Sequence, residues 1–363
     1  MIAFAAALFL QAASPPARPS FEALSKQAIA AREAGHMDEA LALYKKALRL
    51  KPDWDEGLWE AGSIEYDRDK YDDCSTDFEH LASVKLGQPP PLTMAGLCEY
   101  HARKYEAALK SLQEARRLGS KEPGELDRAT RLHLALVLIK LNAFEKAITT
   151  LVELTRSYKK TPDIIVASGI AGLREAWTPP EVPEAERDKV FKLGDAMAAV
   201  MEQDSKEAFE KFAIVLHDYP KDANVHFRYG SYMLQQDPDR GVEELRKVLD
   251  LDPNHIPTLV GLAAIYRKRG DMTAARGYAD RAVKLAPEDF ATHVTLGRVL
   301  LDMDDPADAM RELELATKLA PGSPEAHFNL AVAYAKMGRR EDAAHEREEF
   351  QRLRKMTEDS GQL

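Results

Sequence analysis

The chain has 363 residues, a formal net charge of −10 and two cysteines. The acidic balance does not favour nucleic acid as a partner, and two cysteines are too few for a disulfide framework. Hydrophobic residues make up 45% and aromatics only 7%, with Ala, Leu, Glu, Lys and Arg plentiful, which suits helices and gives little support to a β-rich fold.

Residues 1–13 read as a signal peptide. Ile2 to Leu10 is an apolar run shorter than the roughly 20 residues needed to span a bilayer. Small residues and Pro15-Pro16-Ala17-Arg18-Pro19 follow, making 14–20 a proline-rich leader. This predicts a periplasmic or secreted protein if the segment is cleaved, and a cytoplasmic one otherwise. No stable membrane span is predicted.

Two apolar-periodic segments then recur in each successive unit. In the unit 21–54, Gly35 marks a turn, and Ala40, Leu41, Tyr44 and Ala47 form a helical stripe that ends at Pro52. Units follow at 55–88, with Gly62, Asp69 and Phe78, and at 89–122, with Gly96, Ala108 and Leu112. A polar insertion covers Gly119 to Asp127. The unit 128–161 turns at Asn142, and another starts at Pro162 but fails at Trp177-Thr178-Pro179-Pro180-Glu181-Val182-Pro183, which cannot be helix interior. Segment 177–186 is therefore expected to be a stiff break between an N-terminal block, 21–176, and a C-terminal block, 187–356. Within the second block, the unit 223–255 is one residue short near Asp237. The pattern then becomes regular, with Pro253, Pro287 and Pro321 spaced by 34 residues. Ala263, Gly297 and Ala331 follow these prolines by ten residues, and Ala275, Ala309 and Ala343 by twenty-two. The final helix is highly charged, as a terminal cap must be, and 357–363 reads as a frayed tail.

This 34-residue unit with fixed small residues and a terminal proline resembles the tetratricopeptide-repeat (TPR) family. The resemblance implies an all-α fold, a right-handed α-solenoid of antiparallel helix pairs, with about nine full units and one broken one. It also implies a non-enzymatic scaffold that binds a protein or peptide partner in a concave groove lined by the first helix of each pair. By phase, that groove includes Trp59, Tyr66 and Tyr100 in the first block and Phe227, Arg267, Arg298 and Phe328 in the second. The two arginines would favour acidic groups. Two alternatives stay open: a cell-envelope assembly, secretion or pilus-biogenesis factor in an envelope-associated complex, and a regulatory arm or subunit of an enzyme complex.

No phosphate loop, dinucleotide fingerprint or nucleophile elbow is present, so no catalytic residue and no cofactor is expected. His226, His293 and His327 each lie six residues after a repeat proline. That regularity points to framework packing and against a metal site. Cys74 falls in the second helix of one unit and Cys98 in the first helix of the next, so the phase allows a disulfide or two separate buried thiols.

Overall fold

A computed structural model describes residues 19–119 and 124–359, with no account of the side chains of 357–359. The signal segment, most of the leader, residues 120–123 of the insertion and the last four residues lie outside the described residues. Two compact units divide after Lys104.

The first unit holds α1 (Phe21–Glu33), α2 (Met37–Leu50), α3 (Asp55–Asp67), α4 (Tyr71–Val84) and α5 (Pro89–His101). The second holds α6 (Tyr105–Leu118), α7 (Glu125–Lys140), α8 (Phe144–Tyr158), α9 (Pro162–Leu173), α10 (Arg187–Met201) and α11 (Ser205–Asp218). It continues with α12 (Ala223–Gln236), α13 (Pro238–Leu251), α14 (Ile256–Arg269), α15 (Met272–Leu285), α16 (Phe290–Asp302), α17 (Pro306–Leu319), α18 (Pro324–Lys336) and α19 (Arg340–Asp359). No described residue is in a strand, and no described helix is long and apolar enough to cross a membrane.

The chain reverses after most first helices through a residue of positive φ. Gly35, Asp69 and Arg103 do this in one 34-residue series, and Gly270, Asp304 and Gly338 in another. A left-handed residue ends a helix by redirecting the backbone. The unit that lost one residue has no such position. There Asp237 ends α12 and also caps α13, its side chain accepting the Arg240 N–H at 3.2 Å. Capping aspartates recur: Asp305 accepts the Asp308 N–H at 3.2 Å, with Pro306 as the first helical residue.

The small residues sit where helices meet. A Cβ on Gly297 would lie 2.8 Å and 3.1 Å from the two δ carbons of Leu313, and one on Gly62 would lie 2.8 Å from Phe78. Ala275, Ala309 and Ala343 are buried at the equivalent crossings of the later repeats. Cys74 occupies that same phase in the first unit. It reaches α5, where it is joined to Cys98 with the Cα atoms 5.9 Å apart.

Segment 177–186 holds no α-helix before Arg187. It contains two short 3-10 turns, Pro179–Glu181 and Glu184–Glu186, in place of a second helix. The first helix α9 is thus left without a partner of its own and packs directly on α10. Both sides of the contact are glycine. A Cβ on Gly169 would lie 2.7 Å from the Val190 carbonyl carbon, and one on Gly194 would lie 2.8 Å from that of Ile165.

Candidate functional site at the broken repeat

Ending α9 without a following second helix leaves carbonyls at its C-terminus with no intrahelical partner. Side chains from neighbouring helices supply them. Arg228 of α12 donates from Nε to Gly172 O at 3.2 Å and from a terminal nitrogen to Ala171 O at 3.4 Å. Asn224 donates to Leu173 O at 2.9 Å. Arg174, the next residue, turns left-handed with φ 58° and carries its guanidinium over the Phe144 ring at 5.0 Å.

Both arginines converge on one carboxylate. Glu145, in the first turn of α8, accepts from Arg174 at 2.8 Å and from both terminal nitrogens of Arg228 at 3.2 and 3.3 Å. The side chain of Arg228 is only 7% exposed, whereas that of Glu145 is 63% exposed. Surrounding protein opposes ionisation of Glu145, but the charges and hydrogen bonds of Arg228 and Arg174 outweigh it and hold the carboxyl below its usual range. Burial and the neighbouring Arg228 charge lower Arg174.

Phe227 lies beneath this cluster. The Arg228 guanidinium stands 4.8 Å from its ring centroid, and the His255 ring centroid lies 4.9 Å from it. Burial, then the Arg174 charge, push His255 down to about 4. Its hydrogen bonds suit the neutral ring. Nδ1 accepts the Thr258 N–H at 3.3 Å, and Nε2 donates to Asn224 Oδ1 at 3.1 Å. Thr258, His255, Asn224 and the α9 terminus therefore form one chain of hydrogen bonds.

A tetratricopeptide-repeat model matches residues 21–54, and the model described as the cilia and flagella-associated protein 70 middle TPR-like domain matches 196–354. The chain is a tetratricopeptide-repeat protein. Its nineteen described helices read, in repeat phase, as nine first–second pairs with α9 left over. Comparison with curated proteins gives no match. Among solved structures, this TPR chain is similar to MamA 41-end from Desulfovibrio magneticus RS-1 at 19% identity and TM-score 0.40, covering 44% of this chain and 92% of that one. It is also similar to YrrB, titled a TPR protein with an unusual peptide-binding site, at 19% identity and TM-score 0.39, covering 52% and 89%. TPR chains are protein-interaction scaffolds.

The expected groove residues fall into different environments. In the first unit, Trp59 is half-buried with its ring edge-on to Phe78 at 5.4 Å. Tyr66 meets His101 Nε2 through its hydroxyl at 3.2 Å, and Tyr100 is buried beside the same histidine. In the second unit, Phe227 belongs to the arginine cluster, and Phe328 is 49% exposed while touching Phe350 at 5.3 Å between ring centroids. Arg267 and Arg298 are not open cations. Arg267 pairs with Asp302 at 2.6 Å and Arg298 with Glu325 at 2.6 Å, so each ties one first helix to the next.

The three repeat histidines are framework. His226, His293 and His327 donate from Nε2 to the carbonyls of Pro220, Pro287 and Pro321 at 3.0, 2.8 and 3.1 Å. Each Nδ1 meets a glutamate of the following second helix: Glu244 at 3.0 Å, Glu312 at 2.7 Å and Glu346 at 2.6 Å. One ring thus ties together the loop and both helices of its unit. The signal was present in the sequence: the glutamate follows the histidine by 19 residues in the two regular units, and by 18 where the turn is one residue short. The cluster around Arg174 had no such periodic signal, since it exists because the period fails.

Proposed function

We propose that this protein is a non-enzymatic scaffold that binds an extended, acidic segment of a protein partner along its first helices, with a partner carboxylate taking the place of Glu145 on Arg174 and Arg228. The observation that carries this reading is the asymmetry of that ion pair. An exposed carboxylate gives up little by returning to water and can leave. A buried guanidinium left without its partner costs about 3–5 kcal/mol. Release of Glu145 is therefore tolerable only if another anion arrives, which is the behaviour of an exchangeable ligand site. The exposed aromatic Phe328, in the same unit, would add apolar contact elsewhere on the partner. The Cys74–Cys98 link supports work in an oxidising compartment, outside the cytoplasm.

The test uses a fluorescein-labelled peptide of alternating Glu and Leu residues, with a Gln-for-Glu version as control. Fluorescence anisotropy should show binding of the acidic peptide alone, weakened at least tenfold by Arg174→Glu. Equal binding of both peptides, or an Arg174→Glu variant that binds unchanged, removes the reading.

A further inference from the structure

A second site lies in the first unit, far in character from the arginine cluster. A cleft of about 670 Å³ opens between α2 and α4 over α3. Its apolar wall is Leu41, Leu48, Pro52 and Leu58. Glu65 of α3 lines it and is 2% exposed. Lys45 from α2 donates to Glu65 Oε1 at 2.8 Å and to Asp77 of α4 at 2.8 Å. Glu65 Oε2 is buried and has no hydrogen-bond partner among the described residues. Asp73 of α4 also lines the cleft, so three carboxyl groups stand with the half-buried Lys45, and Arg49 and Lys70 lie on the exposed rim beside Asp38. Asp38 is taken by Arg68, and His80 by Asp53 at 2.8 Å.

An unmet buried acceptor costs about 1–3 kcal/mol, so the cleft lacks a donor at Glu65. We propose that it binds a lysine or arginine side chain presented by a partner, the cationic head meeting Glu65 and Asp77 and the methylene stem lying on the leucine wall. The amphipathic lining selects such a side chain over a bare ion, because only a side chain has an apolar stem to bury. In the free protein a proton fills part of this need. Burial raises the Glu65 carboxyl to about 7, with Lys45 opposing and Asp77 and Asp73 adding to the rise. A cation and that proton compete, so binding strengthens as pH rises through the Glu65 titration. This inference does not depend on the acidic-peptide reading, which concerns the other unit and the opposite charge.

The test is chemical-shift mapping of the full chain with N-acetyl-arginine amide and N-acetyl-lysine amide, with N-acetyl-glutamine amide as the neutral control. Shifts should cluster on α2, α3 and α4 with the two cations only. Affinity at pH 8 should exceed that at pH 5.5 by about thirtyfold, the ratio of ionised Glu65 between the two. Glu65→Gln, nearly isosteric, should lose at least tenfold at pH 8. Equal affinity at the two pH values overturns the proposal without any variant. So do shifts mapping elsewhere, or a folded Glu65→Gln protein that binds as wild type does.

Discussion

Placing a methyl group on Gly169 tests the account of the broken repeat most severely. Helix α9 touches α10 through main chain, so Gly169→Ala would set its Cβ 2.7 Å from the Val190 carbonyl carbon and 3.1 Å from its Cα. The Val190 carbonyl oxygen would be nearer still, and carbon atoms settle at about 3.5–4.0 Å, so the helices must part by more than about 1 Å. A gap of that size forfeits roughly a quarter to a half of each contact across it. Ile165, Leu173 and Leu193 are all buried on these two helices. Against that loss stands the better helix propensity of alanine, about 1 kcal/mol. The net expectation is about 2–3 kcal/mol of destabilisation, at the upper end of ordinary overpacking. Gly261→Ala is the control. That glycine is also helical, in α14, but nothing lies within 4 Å of its Cβ position, so it should stabilise by about 0.5–1 kcal/mol. Urea unfolding with amide hydrogen exchange resolves the two, since exchange should rise across α9 and α10 for Gly169→Ala alone. A Gly169→Ala protein as stable as wild type would refute direct main-chain packing of α9 on α10.

Three further outcomes follow from named contacts. His293→Leu removes the hydrogen bonds to the Pro287 carbonyl and the Glu312 carboxylate and should cost about 1 kcal/mol or slightly more in urea unfolding. His255 is pushed down to about 4 in the fold, below its ordinary 6.5, so the unfolded chain binds more protons between those values. Stability from this residue is complete above pH 6.5 and is lost as pH falls toward 4, by at most about 3 kcal/mol; His255→Gln should flatten the pH dependence of the melting temperature in that window. Reducing Cys74–Cys98, separated by 24 residues, should destabilise the first unit by about 3–4 kcal/mol on chain-entropy grounds, measured by thermal melts with and without reductant.

Much of this fold is written in local chemistry. The turn at Gly35, Asp69 and Asn142 is legible because a reversal needs a left-handed residue, which glycine, asparagine and aspartate tolerate best. The small positions Gly62, Gly297 and Ala309 are legible because they repeat. What could not be read is where periodicity stops. From Trp177 to Pro183 the prolines state that no helix continues, but not that α9 and α10 would close against each other across the gap. Gly169 and Gly194 were the available hint, one on each helix, and a distance between two helices is not written in the spacing of either. Arg267 and Arg298 were placed on the right helices, but their partners Asp302 and Glu325 lie in the neighbouring repeat. A free cation and a paired one look alike in one dimension.

The scaffold reading rests on Glu145 being a replaceable ligand of Arg174 and Arg228. Its most direct test is the affinity of Glu145→Ala for the alternating Glu-Leu peptide. Removing the competing carboxylate leaves the buried Arg228 guanidinium unpaired until the peptide arrives, at about 3–5 kcal/mol, so binding should tighten at least tenfold, and adding Arg174→Glu should abolish the gain. An affinity for Glu145→Ala equal to or weaker than wild type, in a protein whose helicity is unchanged, would contradict the claim.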